Sequence, residues 1–574
     1  MFATAISNVR EFLGSWKNLL AIGTLPLLGG WIFSRVWMVN PAILGDEYLY
    51  SLNARKAGPW DPPLAGDFSN YLFNFVYQGT NLCGDAFYTC GKVFNIVFFL
   101  GFIFTLFVVA LRFMPFWFAY FFMISAGLSP LSVYTSMFLP ESMYFFFVGF
   151  ILLSVLRAME SFSWVNWGLV GISVGVASLV KPHAWLTAIA IGITLLVVGL
   201  GSPALRLRPV IVSGLAAIGG ALAGRAIVGL AVGGPKALNF FGVYLGNSTL
   251  EQIAAGTSVD SSEQSVVGTS GMDGVIGLFG VQLEAHVLAV VAGMGIAVIG
   301  VTVAIFEIFR SRRLEPVSAF GLFAFIWLAT LVIEIVAFTG WITGQGDDHT
   351  SRILLRYYDY LFVIVPLAGL SVANSEVMRK VNAFVRWGLV LLVGFALTPA
   401  FTGFFATLEI QIADAPSLAG VVVNQQVFNA LAVMSFGALL VFAAFPSFTK
   451  WALIALMPLS MVATGWQTQD QYQNFRGTLS VGDLAGQYLR ANFTESELDQ
   501  ITIITYSRFD GTNAGIWMDV DDIRYEIAPP GTEIPAELFE PDRQIFLFLG
   551  EYELLGDSTE IYSGDGFRLL DARN

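Results

Sequence analysis

Apolar runs of about twenty residues recur along most of this chain, separated by short polar breaks. A run of that length forms a helix able to cross a hydrocarbon core of roughly 30 Å. Hydropathy and the turn signals between runs place thirteen spans. They fall near 19–39, 92–111, 115–130, 142–157, 164–180, 184–201, 209–230, 285–307, 317–339, 357–373, 384–402, 427–446 and 450–465. The expected fold class is a polytopic α-helical membrane protein. From Gln467 the pattern changes. "VGDLAGQYLRAN" has helical spacing, with Leu484, Tyr488 and Leu489 on one side. "ITIITYS", "DIRYEIA", "QIFLFLG" and "GFRLLDA" read as short strands between Gly, Pro and Asp. The chain therefore divides into a membrane domain, 1–466, and a small C-terminal α/β domain, 467–574. That tail holds no GxGxxG or GxxxxGKS loop.

Composition agrees with the pattern. Of 574 residues 56% are hydrophobic and 12% charged, with mean hydropathy +0.70, against about 25% charged in soluble proteins. The first residues are polar and lack a small-residue cleavage site, so no removable signal peptide is expected.

Loop charge sets the orientation. With the N-terminus cytoplasmic, the short inner loops hold thirteen Lys and Arg residues and the longer outer loops six. This is the asymmetry that cytoplasmic loops require. An odd number of spans then puts the C-terminal domain outside. The acidic, Lys-poor composition points to a bacterial inner membrane. From Gln467 onward there are 20 acidic residues and 7 arginines, which accounts for the whole net charge of −13. Such a face does not favour nucleic acid or anionic headgroups. Cys83 and Cys90 share the first outer loop, where a disulfide is the plain reading on an oxidising face. A metal pair is the competing one, but further Cys or His ligands are not nearby.

Three outer segments exceed what connection requires: 40–91, 231–284 and 340–356. Long loops in a compact fold tend to carry function or disorder. In the first, Asp46 and Glu47 head a stretch whose Tyr50, Ala54 and Ala57 share a face at 3–4 spacing. That predicts a helix lying on the membrane surface with carboxylates at its N-terminus, where the helix dipole favours them. As caps they need no further role; as chemistry they offer a base or a ligand beside the bilayer.

Glu141 follows Pro140 at the outer start of span 4, either as a first-turn acid or as a cavity residue. Lys181 ends span 5 before Pro182, with His183 beside it. It is either a snorkelling lysine or a cation for a phosphate. In "GDDHTSRILLRYYDY", His349, Arg352 and Arg356 would share one face of a helix. Two arginines there could clamp a phosphate bidentately; paired to Asp347 and Asp348 they would be an ordinary interfacial cap. Tyr357, next in the chain, joins Tyr50, Glu141, His183 and His349 as a candidate for the substrate cavity.

The run Gly45-Asp46-Glu47-x-x-Tyr50-x-x-x-Ala54-Arg55-x-x-Gly58 resembles the first-outer-loop signature of GT-C glycosyltransferases. That superfamily includes protein O-mannosyltransferases and the aminoarabinose transferases of lipid A. "LPES" before an aromatic span and "SLVKP" ending the fifth are similar to it as well. The likeness covers roughly residues 19–200 by motif and the rest by architecture. It implies a sugar donor on a polyprenyl phosphate, used at the outer face, with Asp46 in the place of the catalytic acid and Glu47 as its neighbour. The acceptor would be a cell-envelope glycan, a lipid or a protein. In that chemistry Asp46 takes the acceptor proton, and Glu47 positions the acceptor or aids a metal. Lys181, Arg352 and Arg356 hold the donor phosphate, with Arg55 as a further candidate. A divalent cation, Mg or Mn, is allowed but not required, since no outer Asp-x-Asp stands by these carboxylates. Other classes are an O-antigen-type polymerase or ligase, a lipid-linked-sugar flippase or transporter, and a receptor that binds through its acidic tail. The long outer loops and lack of a convincing repeat speak against transport.

Overall fold

Each of the thirteen apolar runs falls on a helix of the computed structural model. The structure describes residues 14–42, 44–58, 60–61, 64, 69–201, 207–239, 272–311, 315–343, 352–401, 403–520, 523–535 and 545–572. Numbered along the chain, the helices are α1 (Trp16–Val36), α2 (Leu44–Arg55), α3 (Tyr71–Tyr77), α4 (Phe87–Ala110), α5 (Phe116–Gly127) and α6 (Glu141–Glu160). Then come α7 (Trp164–Ala177), α8 (Ala184–Gly201), α9 (Leu207–Gly233), α10 (Met272–Ser311), α11 (Pro316–Thr343) and α12 (Leu361–Asn374). The series continues with α13 (Ala383–Ala396), α14 (Pro416–Val422), α15 (Gln425–Ala444) and α16 (Thr449–Arg476). Among the described residues, six helices are long and apolar enough to cross a membrane, or up to eight if each of two bent pairs is one span. Four further apolar helices are shorter, at 10–17 residues. The expected count of thirteen crossings is therefore not reached by length and hydropathy alone. Several runs lose a turn or more to irregular backbone, as at Ser178–His183 and at 352–360, where polar and Pro residues interrupt the apolar pattern.

Helices α7 and α9 pack through a seam of glycines. A Cβ added at Gly171 or Gly175 would collide with the carbonyls of Ala217 and Ala221, and one at Gly220 with the carbonyl of Gly168. Small residues let two apolar helices approach backbone to backbone, where dispersion replaces the missing hydrophobic drive. The seam also fixes the chain beyond α7. Arg225 of α9 is fully buried and donates to the Ser178 carbonyl and hydroxyl, both at 3.0 Å. Leu72 N donates to the Leu179 carbonyl at 2.9 Å. Lys181 is thereby held in an unwound segment rather than at a free helix end.

The C-terminal unit holds α17 (Val481–Asn492), α18 (Arg508–Met518) and strands β1 (Ile501–Thr505), β2 (Arg524–Ile527), β3 (Glu533–Pro535), β4 (Ile545–Leu549), β5 (Glu553–Leu555), β6 (Thr559–Gly564) and β7 (Phe567–Asp571). The main sheet has order β2-β1-β4-β7-β6, with β1 parallel to β2 and β4, and β7 antiparallel to β4 and β6. β3 and β5 form a separate parallel pair. Both β1 and β4 are buried on both faces, between a core with α17 and α18 and a smaller one around Phe546, Phe548 and Tyr552. The compositional change at Gln467 does not coincide with the end of an element. Helix α16 runs on to Arg476, because its polar last turns keep helix-forming residues and gain partners.

Those partners tie the two parts together. Arg476 is 2% exposed and pairs with Asp483 at 2.9 Å, while its Nε donates to the Pro41 carbonyl at 2.5 Å. Asn40 returns two hydrogen bonds to the Arg476 carbonyl. Helix α2 is gripped from the same side: Arg55 pairs with Asp519 at 2.6 Å, Lys56 with Glu495 at 2.5 Å, and the Tyr48 hydroxyl donates to the Val520 carbonyl at 3.1 Å. α2 thus packs between α3 and α18. Ala54 and Ala57 are buried, and Tyr50 meets the Phe73 ring at 5.7 Å. The face that the spacing assigned to the bilayer is covered by protein. Helical spacing shows only that a face is apolar, not what covers it.

The Arg55–Asp519 pair is almost wholly buried. Asp519→Ala would strand Arg55 without its partner and cost about 3 kcal/mol. The expected readouts are a lower unfolding temperature and faster proteolytic release of the C-terminal unit.

Candidate active site

The two adjacent carboxylates at the head of α2 meet opposite fates. Glu47 is 1% exposed. Its Oε1 accepts from the Tyr88 hydroxyl at 2.7 Å and from Phe138 N at 2.8 Å, and its Oε2 from Ala42 N at 2.6 Å. A buried carboxylate needs several donors to offset lost hydration. These three bonds join α2 to α4 and to the segment before α6. Glu47 is therefore a buried clasp between these segments.

Asp46 is about a third exposed, and its Oδ2 lies 2.7 Å from Nη1 of Arg356. Arg356 also faces Asp414, with Nε 3.6 Å from Oδ1, and its backbone N–H donates to the Asp414 carbonyl at 2.7 Å. Arg352 meets the same carboxylate, with Nε and Nη2 each 2.5 Å from Oδ2. The two arginines do converge, but not on one helix. Arg352 sits in an isolated β-bridge with Glu409, and Arg356 in a short 3₁₀ turn, Leu355–Tyr357, with α12 starting only at Leu361. Asp414, fully buried, brings them together. His349 lies outside the described residues.

Lys181 and Glu141, read separately along the chain, form a buried ion pair at 2.7 Å. The Lys181 ammonium stands 4.9 Å over the Tyr357 ring, and His183 stacks on that ring at 4.3 Å. Lys181, Glu141, His183, Tyr357, Arg356 and Asp46 thus belong to one cluster. Burial pushes the Lys181 ammonium below its ordinary range; Glu141 opposes this and Arg356 adds to it. His183 is driven well below the usual imidazole range, first by burial and then by Lys181 and Arg356. It is neutral at physiological pH.

The remaining candidates lie elsewhere. Arg55, at the far end of α2, has Asp519, the Asn81 side chain and the Phe87 ring as partners. None of these belongs to the cluster. Cys83, in the 3₁₀ segment Gln78–Ala86, and Cys90, in the first turn of α4, are joined as a disulfide with Cα atoms 6.4 Å apart. Tyr50 packs edge-on against the Phe73 ring.

Three participants escape a linear reading. Asp414 reads as an ordinary acid before Pro416, which opens α14. Tyr88 sits in an apolar helix, and its pairing with Glu47 crosses 41 positions. Tyr134 donates to buried Asp359 at 3.2 Å, across 225. Only the Asp-Ala-Pro helix-start signal at 414–416 was open to inspection. No group of three or more His, Cys, Asp or Glu side chains among the described residues converges as a metal site.

No family profile matches the chain. No curated protein matches it by sequence either. Solved structures do resemble it. ArnT from Cupriavidus metallidurans bound to undecaprenyl phosphate aligns over 96% of this chain and 97% of its own, at 11% identity and TM-score 0.48. The apo state of that protein gives 14% identity, the same coverage and TM-score 0.45. The archaeal oligosaccharyltransferase AglB from Archaeoglobus fulgidus, in complex with an inhibitory peptide and a dolichol-phosphate, aligns over 94% of this chain and 70% of its own. Its identity is 11% and its TM-score 0.46.

The opposite fates of Asp46 and Glu47 separate by mutation. Glu47→Gln sets an amide N–H against a donor and should cost about 2–4 kcal/mol of stability. Asp46→Asn should cost under about 1 kcal/mol, as expected for a partly exposed pair. Thermal unfolding of both variants measures the difference. His183 adds a pH signature. Its folded pKa is depressed, so the unfolded chain binds more protons below about 6.5, and stability falls as pH drops through that window. His183→Gln should remove that part of the acid sensitivity in unfolding curves recorded between pH 7 and 5.

Proposed function

We propose that this protein is a GT-C-type membrane glycosyltransferase that moves a sugar from a polyprenyl-phosphate donor to a hydroxyl acceptor at the outer face of the membrane. One observation carries the reading. The accessible carboxylate of the first-loop motif, Asp46, touches an arginine in a cluster that also holds Arg352 and Lys181. A base for an incoming hydroxyl and cations for a departing phosphate are what such a transfer requires.

The charges of the cluster suggest an order of events. Lys181, Arg352 and Arg356 face Glu141, Asp414 and Asp46, three cations against three carboxylates. Of the three carboxylates, Asp414 and Glu141 are buried and Asp46 is partly exposed. An arriving phosphate can therefore displace Asp46 from Arg356 more readily than it can displace the other two. Arg356 then binds the phosphate, and Asp46 is released to act as base. It takes the proton of the acceptor hydroxyl as that oxygen bonds to the anomeric carbon. The anomeric C–O bond to phosphate breaks, and polyprenyl phosphate leaves with the electron pair. Arg356 and Lys181 offset its growing charge. Glu47 fixes the position of α2 in this scheme and does not touch the acceptor. No step needs a divalent ion; Mg or Mn add-back after EDTA treatment measures any contribution. The sugar and the acceptor, whether glycan, lipid or protein, are open to assay.

Incubation of the purified protein with a polyprenyl-phosphate sugar should release polyprenyl phosphate. Asp46→Asn should lower turnover at least about 100-fold with folding retained. Wild-type turnover by that variant would sink the assignment. Arg356→Gln should raise KM for the donor.

A further inference from the structure

Arg35, near the end of α1, is a cation in an apolar span, and such a charge is costly without a partner. Other buried cations of the described membrane helices have theirs. Lys92 donates to the carbonyls of Val36, Trp37 and Val39, and Arg225 to Ser178 and the Asn239 carbonyl. Arg35 differs. Its Nε and Nη2 are buried and make no hydrogen bond, and no carboxylate among the described residues lies within ion-pair distance. Its guanidinium lies 4.3 Å over the Trp466 ring of α16.

The group borders a cavity of about 140 Å³, walled by Trp31, Ile32, Leu128, Val462 and Trp466. The polar side chains there are already engaged: the Ser132 hydroxyl donates to the Ser129 carbonyl, and the Gln469 amide to the Arg35 carbonyl. Trp31 and Trp466 are each about half exposed, and Leu27 and Leu459 farther along α1 and α16 are exposed too. In a membrane protein such a face meets lipid, and paired tryptophans mark the headgroup level.

We infer that this cavity binds a glycerophospholipid, its phosphate paired with the Arg35 guanidinium and its first methylenes against the tryptophan walls. A guanidinium fork matches two phosphate oxygens. The apolar lining matches a tail and would be wasted on a free ion. The site is separate from the Asp46 cluster, and its test does not depend on transferase activity.

Full-length protein in mild detergent is titrated with dioleoyl phosphatidylglycerol or with inorganic phosphate, and bound species are read by native mass spectrometry. Expected is one tightly held phosphatidylglycerol, bound at least about tenfold more weakly by Arg35→Gln and to an intermediate degree by Arg35→Lys. Equal lipid occupancy in wild type and Arg35→Gln overturns the site. So does Arg35-dependent binding of inorganic phosphate without lipid. Should Arg35→Gln fail to fold, Val462→Phe leaves the cation and narrows the cavity. Undiminished lipid binding by that variant would be equally fatal.

Discussion

One buried carboxylate sets the geometry on which the rest depends. Glu47 accepts hydrogen bonds from a residue five positions before it and from residues 41 and 91 positions after it. An ionised carboxylate out of water is tolerable only when its oxygens are so occupied. That requirement locks the first turn of α2 against α4 and the Phe138 segment. Asp46, the preceding residue, then projects from a fixed turn toward Arg356. The neighbouring acids divide the work: one holds the turn, and the other stays accessible because the first is buried.

The second constraint is charge balance. The cluster at the head of α2 pairs each cation with a carboxylate, and the shared anchor is Asp414. Two arginines this close would repel in a low-dielectric setting. Asp414 makes their approach affordable and leaves Arg356 a free side for Asp46. Lys181 reaches the same place because the α7–α9 seam holds its unwound segment, with Arg225 bonded to Ser178. A glycine seam and a buried arginine thus serve the site without touching it.

The C-terminal unit enters the same logic. Its Asp519, Glu495 and Val520 grip α2 at Arg55, Lys56 and Tyr48. Trp517 packs on Tyr88, which in turn holds Glu47. Burial pushes Arg55 below its ordinary range and Asp519 opposes that shift, the mark of a charge kept buried by its partner. The acidic tail is therefore not a loose appendage. It closes over the helix that carries Asp46.

How much of this was legible in the sequence follows from the range of each interaction. The helical character of the apolar runs, the α/β tail and the nearness of Asp46 and Glu47 rest on local periodicity and composition, and a linear reading captures them; the number of crossings it does not. So does the choice of Lys181, Glu141, Arg352 and Arg356 as residues to watch, since charges beside apolar runs are costly wherever they fall. The sequence could not say which of two adjacent acids would be buried, because both fit the head of a helix equally well. Nor could it pair Lys181 with Glu141, or find Asp414 between two arginines whose expected helix does not form. Those contacts link residues 40 to 310 positions apart, and their energy depends on desolvation that only packing creates. The chain alone determines which charges must find partners; the tertiary structure decides which partners they find, and so which of two adjacent carboxylates stays accessible.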